Sequence, residues 1–433
     1  MPDITLHTSL LFDPKRKEFL PNLSITVNEE SGLITTITTR QNDDDIPPHP
    51  TPNTIDLRNK VVLPGFVDAH THIFLHAYSE VDNQRQKRDE SIPERIIRAV
   101  NHCRTALLAG YTTYRDLGSE NMSTFDANVR DAIARGLTPG PRLFVATRVL
   151  SSTGTLDLRT ENAANGHLLP NGAGPDVVDG SLEARKAVRR RIAEGADIIK
   201  VFVDYRRRIM RSPPAQPHPY KPSVLHPPRV PNPDVVSFSQ EEVDAIVAEA
   251  RLAGCPVAAH AHTKEGALIA VKAGVDTLEH VVVNGDEEVF AAMKEKGVIL
   301  VPTLGVLEKL QPSEKFQEIM KKVKVAWDMG VRLACGGDTG TFSHGDNARE
   351  MELMVEAGIP IEHVLEMCTV GGWETCGGDL CGRRFGWLEE GCQADIIALD
   401  SDPRTDAGAL RKASFVMKDA RVWKCDGQAI GIM

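Results

Sequence analysis

The chain reads as an α/β protein: a (β/α)8 barrel with a smaller β-sheet domain assembled from the two ends. Three observations carry that expectation. Short apolar strands alternate with helix-period segments through the middle of the chain, eight strands in all, as parallel βα units do. Many of the helical segments close on glycine, which supplies a left-handed C-cap. The first 60 residues and the last 45 are instead short, β-branched and broken by turn residues.

In order, the N-terminal strands are "DITLHTSLLF", "LSITVNEE" and "LITTITTR", followed by a polar, Pro-rich loop, "QNDDDIPPHPTP". The middle then runs strand "KVVLPGFVDAHTH", helix "ERIIRAVNHCRTALLAG", strand "YTTYRDLG", helix "MSTFDANVRDAIARG" and strand "PRLFVAT". Helix "LEARKAVRRRIAEGA", strand "DIIKVFV", helix "QEEVDAIVAEARLAG", strand "CPVAAHAH" and helix "EGALIAVKAG" come next. Strand "VDTLEHVV", helix "DEEVFAAMKEKG", strand "VILVPTL", helix "KFQEIMKKVKVAWDMG", strand "VRLACGGDTG" and helix "NAREMELMVEAG" complete the series. Eight such strands are enough to close a barrel; an open doubly wound sheet is the alternative arrangement of the same units. "ADIIALDSDP" and "ASFVMKDARVWKC" return to the β character of the N-terminus. The expected division is therefore 1–60 with 389–433, and 61–388.

Composition narrows the function classes. A chain of 433 residues, 41% hydrophobic and 25% charged, has the makeup of a soluble globular protein with a sizeable core. Its net charge of −10 disfavours a nucleic-acid partner, which needs a basic face. No apolar run approaches the roughly 18 residues of a membrane span, and the N-terminus lacks the pattern of a secretory leader, so a cytoplasmic location is expected. The eight cysteines are scattered, and only Cys376 and Cys381 lie close. They are expected to be free thiols rather than a zinc ribbon.

Chemistry-bearing residues gather at strand ends. His70 and His72 close the first strand of the middle region, and residues at i and i+2 of a strand face the same way. Lys200 sits inside the fourth strand; His260 ends the fifth, His280 the sixth and Asp338 the eighth. Imidazole and carboxylate are ordinary ligands for zinc and related divalent ions. A lysine in an apolar strand loses its charge readily, and the neutral amine takes up carbon dioxide to give a carbamate able to bridge two ions. The rival reading pairs Lys200 with Asp204 or sends its amine to an aqueous cavity.

As a set and in order, "LPGFVDAHTH", "GYTTYRDLG", "ADIIKVFV", "VAAHAH", "AVKAGVDTLEH", "GGDTG" and "LEEGCQADIIALD" resemble the amidohydrolase superfamily. Within it the chain is most similar to the imidazolonepropionase-like amide hydrolases, the branch holding Xaa-Pro dipeptidases and fungal ochratoxinase. The resemblance implies a (β/α)8 TIM barrel with a small β-sandwich built from both termini. It implies one divalent ion held by His70, His72, Asp338 and carboxylated Lys200, a second held by Lys200, His260 and His280, and a hydroxide between them. Zinc is the expected metal, with carbon dioxide supplying the N6-carboxylation of Lys200. The expected reaction is hydrolysis of a C–N amide bond, peptide-like or N-acyl amino acid, in which Asp338 carries the proton from water to the leaving nitrogen.

The chain departs from that pattern after the lysine strand ("DYRRRIMRSPP") and after the third strand ("SSTGTLDLR"), so substrate contacts are read from the residues themselves. His262, Tyr205 and Arg206, with Arg207 and Arg208, are candidates to contact a substrate carboxylate; His344 is a candidate near the last strand. Arg189, Arg190 and Arg191 read as an exposed helix face. "GGDTG" reads as room around Asp338, since it lacks the lysine of a phosphate loop. A deaminase of the same superfamily usually carries a glutamate where this chain has Thr263, and needs no bridging lysine. A lactonase or phosphotriesterase shares the metals, and a metal-free scaffold is the non-enzymatic alternative. The expected partner is a small-molecule amide; a homo-oligomer fits the family, but the sequence sets no copy number.

Overall fold

The computed structural model describes residues 3–41, 53–156, 174–206, 216–226 and 233–431. The chain ends meet in one nine-stranded sheet. Its path runs Gln428–Ala429, Arg421–Cys425, Ala413–Lys418, Ile396–Leu399, Val61–Pro64, Asp3–Asp13, Glu18–Asn28 and Leu33–Thr39, with Thr54–Asp56 paired to Asp3–Asp13 off the path. Val61–Pro64 is the seam between the two ends, parallel to the first strand and antiparallel to Ile396–Leu399. The two-residue period of these strands turns Leu6, Ile25, Val27, Val62, Ile396 and Phe415 into a common apolar core.

The single strand expected over 60–72 is two strands. It breaks at Gly65, where an added Cβ would lie 2.2 Å from the Thr112 Oγ1 atom, so only glycine lets the chain pass from the terminal sheet into the parallel one. Phe66–Thr71, Tyr111–Asp116 and Arg142–Val145 form a parallel three-stranded sheet. Leu150–Ser151, Ile199–Phe202, Val257–His260, Thr277–Glu279 and Ile299–Val301 continue as a parallel series, with Asp176–Val177 on its edge. The Asp197 N–H donates to the Val145 carbonyl (2.8 Å), linking the two sheets on one side.

On the other side, the expected eighth strand, "VRLACGGDTG", is no regular ladder. It makes isolated bridges to Leu300 and Thr71, and hydrogen bonds from Ala334 to the Leu300 carbonyl and from Ala69 to the Cys335 carbonyl. Gly336 and Gly337 offer no side chains to a pleat, and Asp338 turns left-handed at φ 60°. Gly336 has a closer purpose than room around Asp338. A Cβ there would stand 2.7 Å from the His70 backbone nitrogen, so the glycine brings the His70 and Asp338 segments together.

The helices behave as their sequences predict where caps are explicit. Ser239 and Glu242 form a capping box on Gln240–Leu252, and Gly274 and Gly297 close Lys264–Ala273 and Glu287–Lys296 in left-handed conformation. Four short helices, Asn83–Asp89, Leu304–Leu310, Ile361–Met367 and Val370–Thr375, were not expected. The exposed-face expectation for the arginine run fails at Arg191, which is buried against Asp176 (3.3 Å), because the helix turns that residue inward. Arg189 and Arg190 stay at the surface, on Glu249 and Asp176. All eight cysteines are free. Among the described residues, no helix is long and apolar enough to cross a membrane.

Candidate metal centre

Three of the four imidazoles are aimed by the atom behind them. His70 Nδ1 donates to Glu279 Oε2 at 2.8 Å, and His72 Nδ1 donates to the Gly118 carbonyl at 3.1 Å. A carboxylate and a carbonyl only accept, so both rings keep a proton on Nδ1 and turn Nε2 to the opposite side. His280 Nδ1 lies 2.7 Å from Thr303 Oγ1, whose own proton goes to the Pro302 carbonyl; His280 is therefore the donor there too. His260 stacks on Phe202, with its buried Nε2 free of any hydrogen bond among the described residues. Second contacts of this kind are what orient metal-binding histidines.

These nitrogens converge. His72 Nε2 stands 3.2 Å and His70 Nε2 3.7 Å from Asp338 Oδ1. Donor atoms of these three residues all lie within 4.8 Å of one another, which fits one ion. The His280 ring sits 4.8 Å from His70 and 4.7 Å from His260, so the second pair of imidazoles adjoins the first. His280 and Asp338 hold left-handed backbone (φ 66° and 60°), a strained arrangement that tends to persist where function requires it.

Lys200 completes the group. It is 1% exposed, and its Nζ has no hydrogen-bond partner among the described residues. Asp204 is not that partner; its carboxylate accepts from the His262 and Thr263 backbone nitrogens and from the Thr263 hydroxyl. Burial pushes the Lys200 amine down to about 8, which favours the neutral form. Burial and Lys200 push His70 down to about 4, and burial holds His260 and His280 well below the ordinary imidazole value. Burial opposes charge on His72 as well, but Glu120 and Asp338 outweigh it and raise that ring to about 9. Asp338 stays far below the carboxylate range, because His70 and His72 overcome its burial.

The amidohydrolase family sequence profile matches residues 61–430. The chain belongs to that family. Over 396 residues this amidohydrolase is 32% identical to ochratoxinase of Aspergillus niger, an alignment spanning 85% of this chain and 75% of that one. The solved structure of a Xaa-Pro dipeptidase with methionine in its active site superposes with a TM-score of 0.80 at 29% identity, covering 98% of this chain and all of that one. The A. niger ochratoxinase structure gives 0.78 at 28% identity, covering 99% and 97%. The protein is accordingly a hydrolase acting on C–N bonds.

In the amidohydrolase the six residues line one cavity of about 670 Å³, shared with Tyr205, Arg206 and His262. The His262 ring is 4.4 Å from His260 and is held by Asp234 (3.1 Å). Arg206 lies over the Tyr205 ring. Arg207 and Arg208 fall outside the described residues. His344 is not at the cavity: it is buried in a stack on His102 (4.3 Å) and donates from Nε2 to the Leu75 carbonyl.

Sequence reasoning passed over the residues behind the ligands. Glu279 and Arg115 are both 0% exposed and face each other at 3.2 Å, Arg115 keeping Glu279 ionised against its burial. The signal was present, a charged residue inside each of the strands "TLEH" and "YTTYRDLG". Glu120, beside His72 Nδ1 at 3.4 Å, is paired with Lys87 on the unforeseen helix Asn83–Asp89. Replacing Glu279 by Gln is expected to weaken metal binding roughly 10–100-fold, as loss of an orienting partner does. It is also expected to lower the melting temperature, because Arg115 loses its counter-charge. Chelator titration and thermal melting check both; unchanged metal affinity would contradict the orienting role.

A second buried carboxyl supports the cavity wall. Glu350 accepts from the Gly305 N–H (2.7 Å) at the start of Leu304–Leu310, and its Oε1 has no partner among the described residues. Burial lifts its pKa from 4.5 to about 8. A raised carboxyl favours the folded state at low pH, so its contribution is complete below about 4.5 and is lost as pH rises through about 8. Glu350→Gln is expected to flatten the decline of melting temperature between those values; a decline as steep as the wild type's would contradict it.

Proposed function

We propose that this amidohydrolase is a binuclear metal-dependent enzyme that hydrolyses the amide of a peptide-like compound or N-acyl amino acid. The observation that carries this reading is Lys200, a buried amine with no hydrogen-bond partner among the described residues, lining one cavity with four imidazoles and Asp338. The fold that goes with it is a closed (β/α)8 barrel over 61–388 and a β-sandwich from 1–60 and 389–433. The hydrogen bonds from Ala334 to Leu300 and from Ala69 to Cys335 support closure.

The donor set fits two divalent ions. His70, His72 and Asp338 would hold one, His260 and His280 the other, with Lys200, carboxylated by carbon dioxide, serving both; nitrogen and oxygen donors suit zinc. When bound, such ions lower the pKa of water and polarise a carbonyl. Asp338, ionised and at the cavity wall, takes the proton from the attacking water and returns it to the departing nitrogen. His262, Tyr205 and Arg206 contact the substrate. Thr263, spent on Asp204 and on capping Lys264–Ala273, offers no acid for ring deamination. The names ochratoxinase and Xaa-Pro dipeptidase carried by its relatives support a peptide-like amide.

Zinc-loaded protein is to be screened against N-acyl amino acids, Xaa-Pro dipeptides and aromatic amides. Release of amine from one of these classes is expected. Turnover of none, with two metal equivalents bound, would refute the reading.

A further inference from the structure

Residues 75–90 form a wall of the cavity that no strand or helix pattern announces. Buried Gln86 clamps this segment: its amide donates to the His76 and Val81 carbonyls (2.7 Å each) and its oxygen accepts from the His76 N–H. Asp82 caps the helix Asn83–Asp89 that follows. Tyr78 sits on the clamped stretch. Its N–H donates to the Thr341 carbonyl (3.0 Å), and the Thr341 hydroxyl donates to the Asp338 carbonyl (2.7 Å), so the Tyr78 backbone is tied to that of Asp338. Tyr78, Asn83, Thr341 and Asp338 all line the same cavity.

The hydroxyl is polarised in a definite direction. The Asn83 side-chain amide donates to Tyr78 Oη at 2.5 Å, and among the described residues the phenol has no other hydrogen-bond partner. A phenol oxygen that accepts keeps its own proton to give. A donor held by Asn83 and lining the same cavity as Asp338 suits an oxygen that gains negative charge during reaction.

We propose that Tyr78 is a further catalytic residue, donating its phenolic hydrogen bond to the scissile carbonyl oxygen as the amide is attacked. No bond to Tyr78 forms or breaks; the proton stays on the phenol. The inference rests on the amide-hydrolase reading above.

The test is steady-state kinetics on the substrate found in the screen, with metal content measured in parallel. Tyr78→Phe is expected to lower kcat roughly 10²–10³-fold, as loss of one such donor does, with KM within about threefold of wild type and metal content unchanged. Asn83→Asp keeps the phenol but turns its partner into an acceptor that captures the proton, and is expected to lower kcat in the same direction. Tyr78→Phe with kcat within about twofold of wild type, or a loss carried by KM alone, overturns the proposal. So does an Asn83→Asp variant with full kcat. A wild type that cleaves no amide overturns the reading beneath it and this inference together.

Discussion

Lys200→Ala is expected to leave a folded protein that no longer retains two metal ions and turns over at least about a thousandfold more slowly, given the several kcal/mol that metal ions contribute to such reactions. The physical reason is the placement of the amine. It is buried with no hydrogen-bond partner among the described residues and lies over the Phe202 ring (5.6 Å), so its removal deletes no hydrogen-bonded ion pair. A buried lysine kept only for structure would instead lower the melting temperature when truncated and leave the metal content unchanged. Elemental analysis per chain, beside a melting curve, separates the two. Two ions retained at full activity would end the assignment of Lys200 to the centre.

Asp338→Asn is expected to be the second most damaging change. Asparagine tolerates the left-handed backbone that Asp338 adopts at φ 60°, so the turn survives the substitution. What is lost is an ionised carboxylate, and with it the group to which the proton transfer is assigned above. A fall in kcat of roughly 10²–10⁴, the range for general acid–base residues, is the predicted outcome. A variant within about tenfold of wild type would show that another group moves the proton.

The candidate ligands could be picked out because each ends or lies within a short apolar strand, where a polar side chain has no structural excuse. Their orienting contacts could not. Glu279 holds His70 across 209 residues of sequence, and Thr303 holds His280 from the next strand's exit. Such pairings exist only once strand order brings the segments together. The break at Gly65 was hidden for the same reason, since Thr112, the atom group that demands glycine, lies on a neighbouring strand. The last strand misled by composition: an apolar run suggested a ladder, while Gly336 serves a close approach to His70 and Gly337 one to Phe342. The cavity wall at 75–90 carries no periodicity to read, and its clamp is a single buried glutamine. His344 shows the reverse error. Proximity in sequence to Asp338 suggested the cavity, and the turn after the glycines carries it instead onto His102.

The central claim is that side chains remote in sequence hold two cations in one cavity. Anomalous diffraction from crystals of zinc-loaded protein addresses it directly. Two zinc peaks are predicted, one among His70, His72 and Asp338 and one beside His260 and His280, with density joining Lys200 Nζ to both through a carboxylate. A zinc-loaded crystal with no anomalous peak at these residues, or with Lys200 Nζ turned away from the metals, would contradict it.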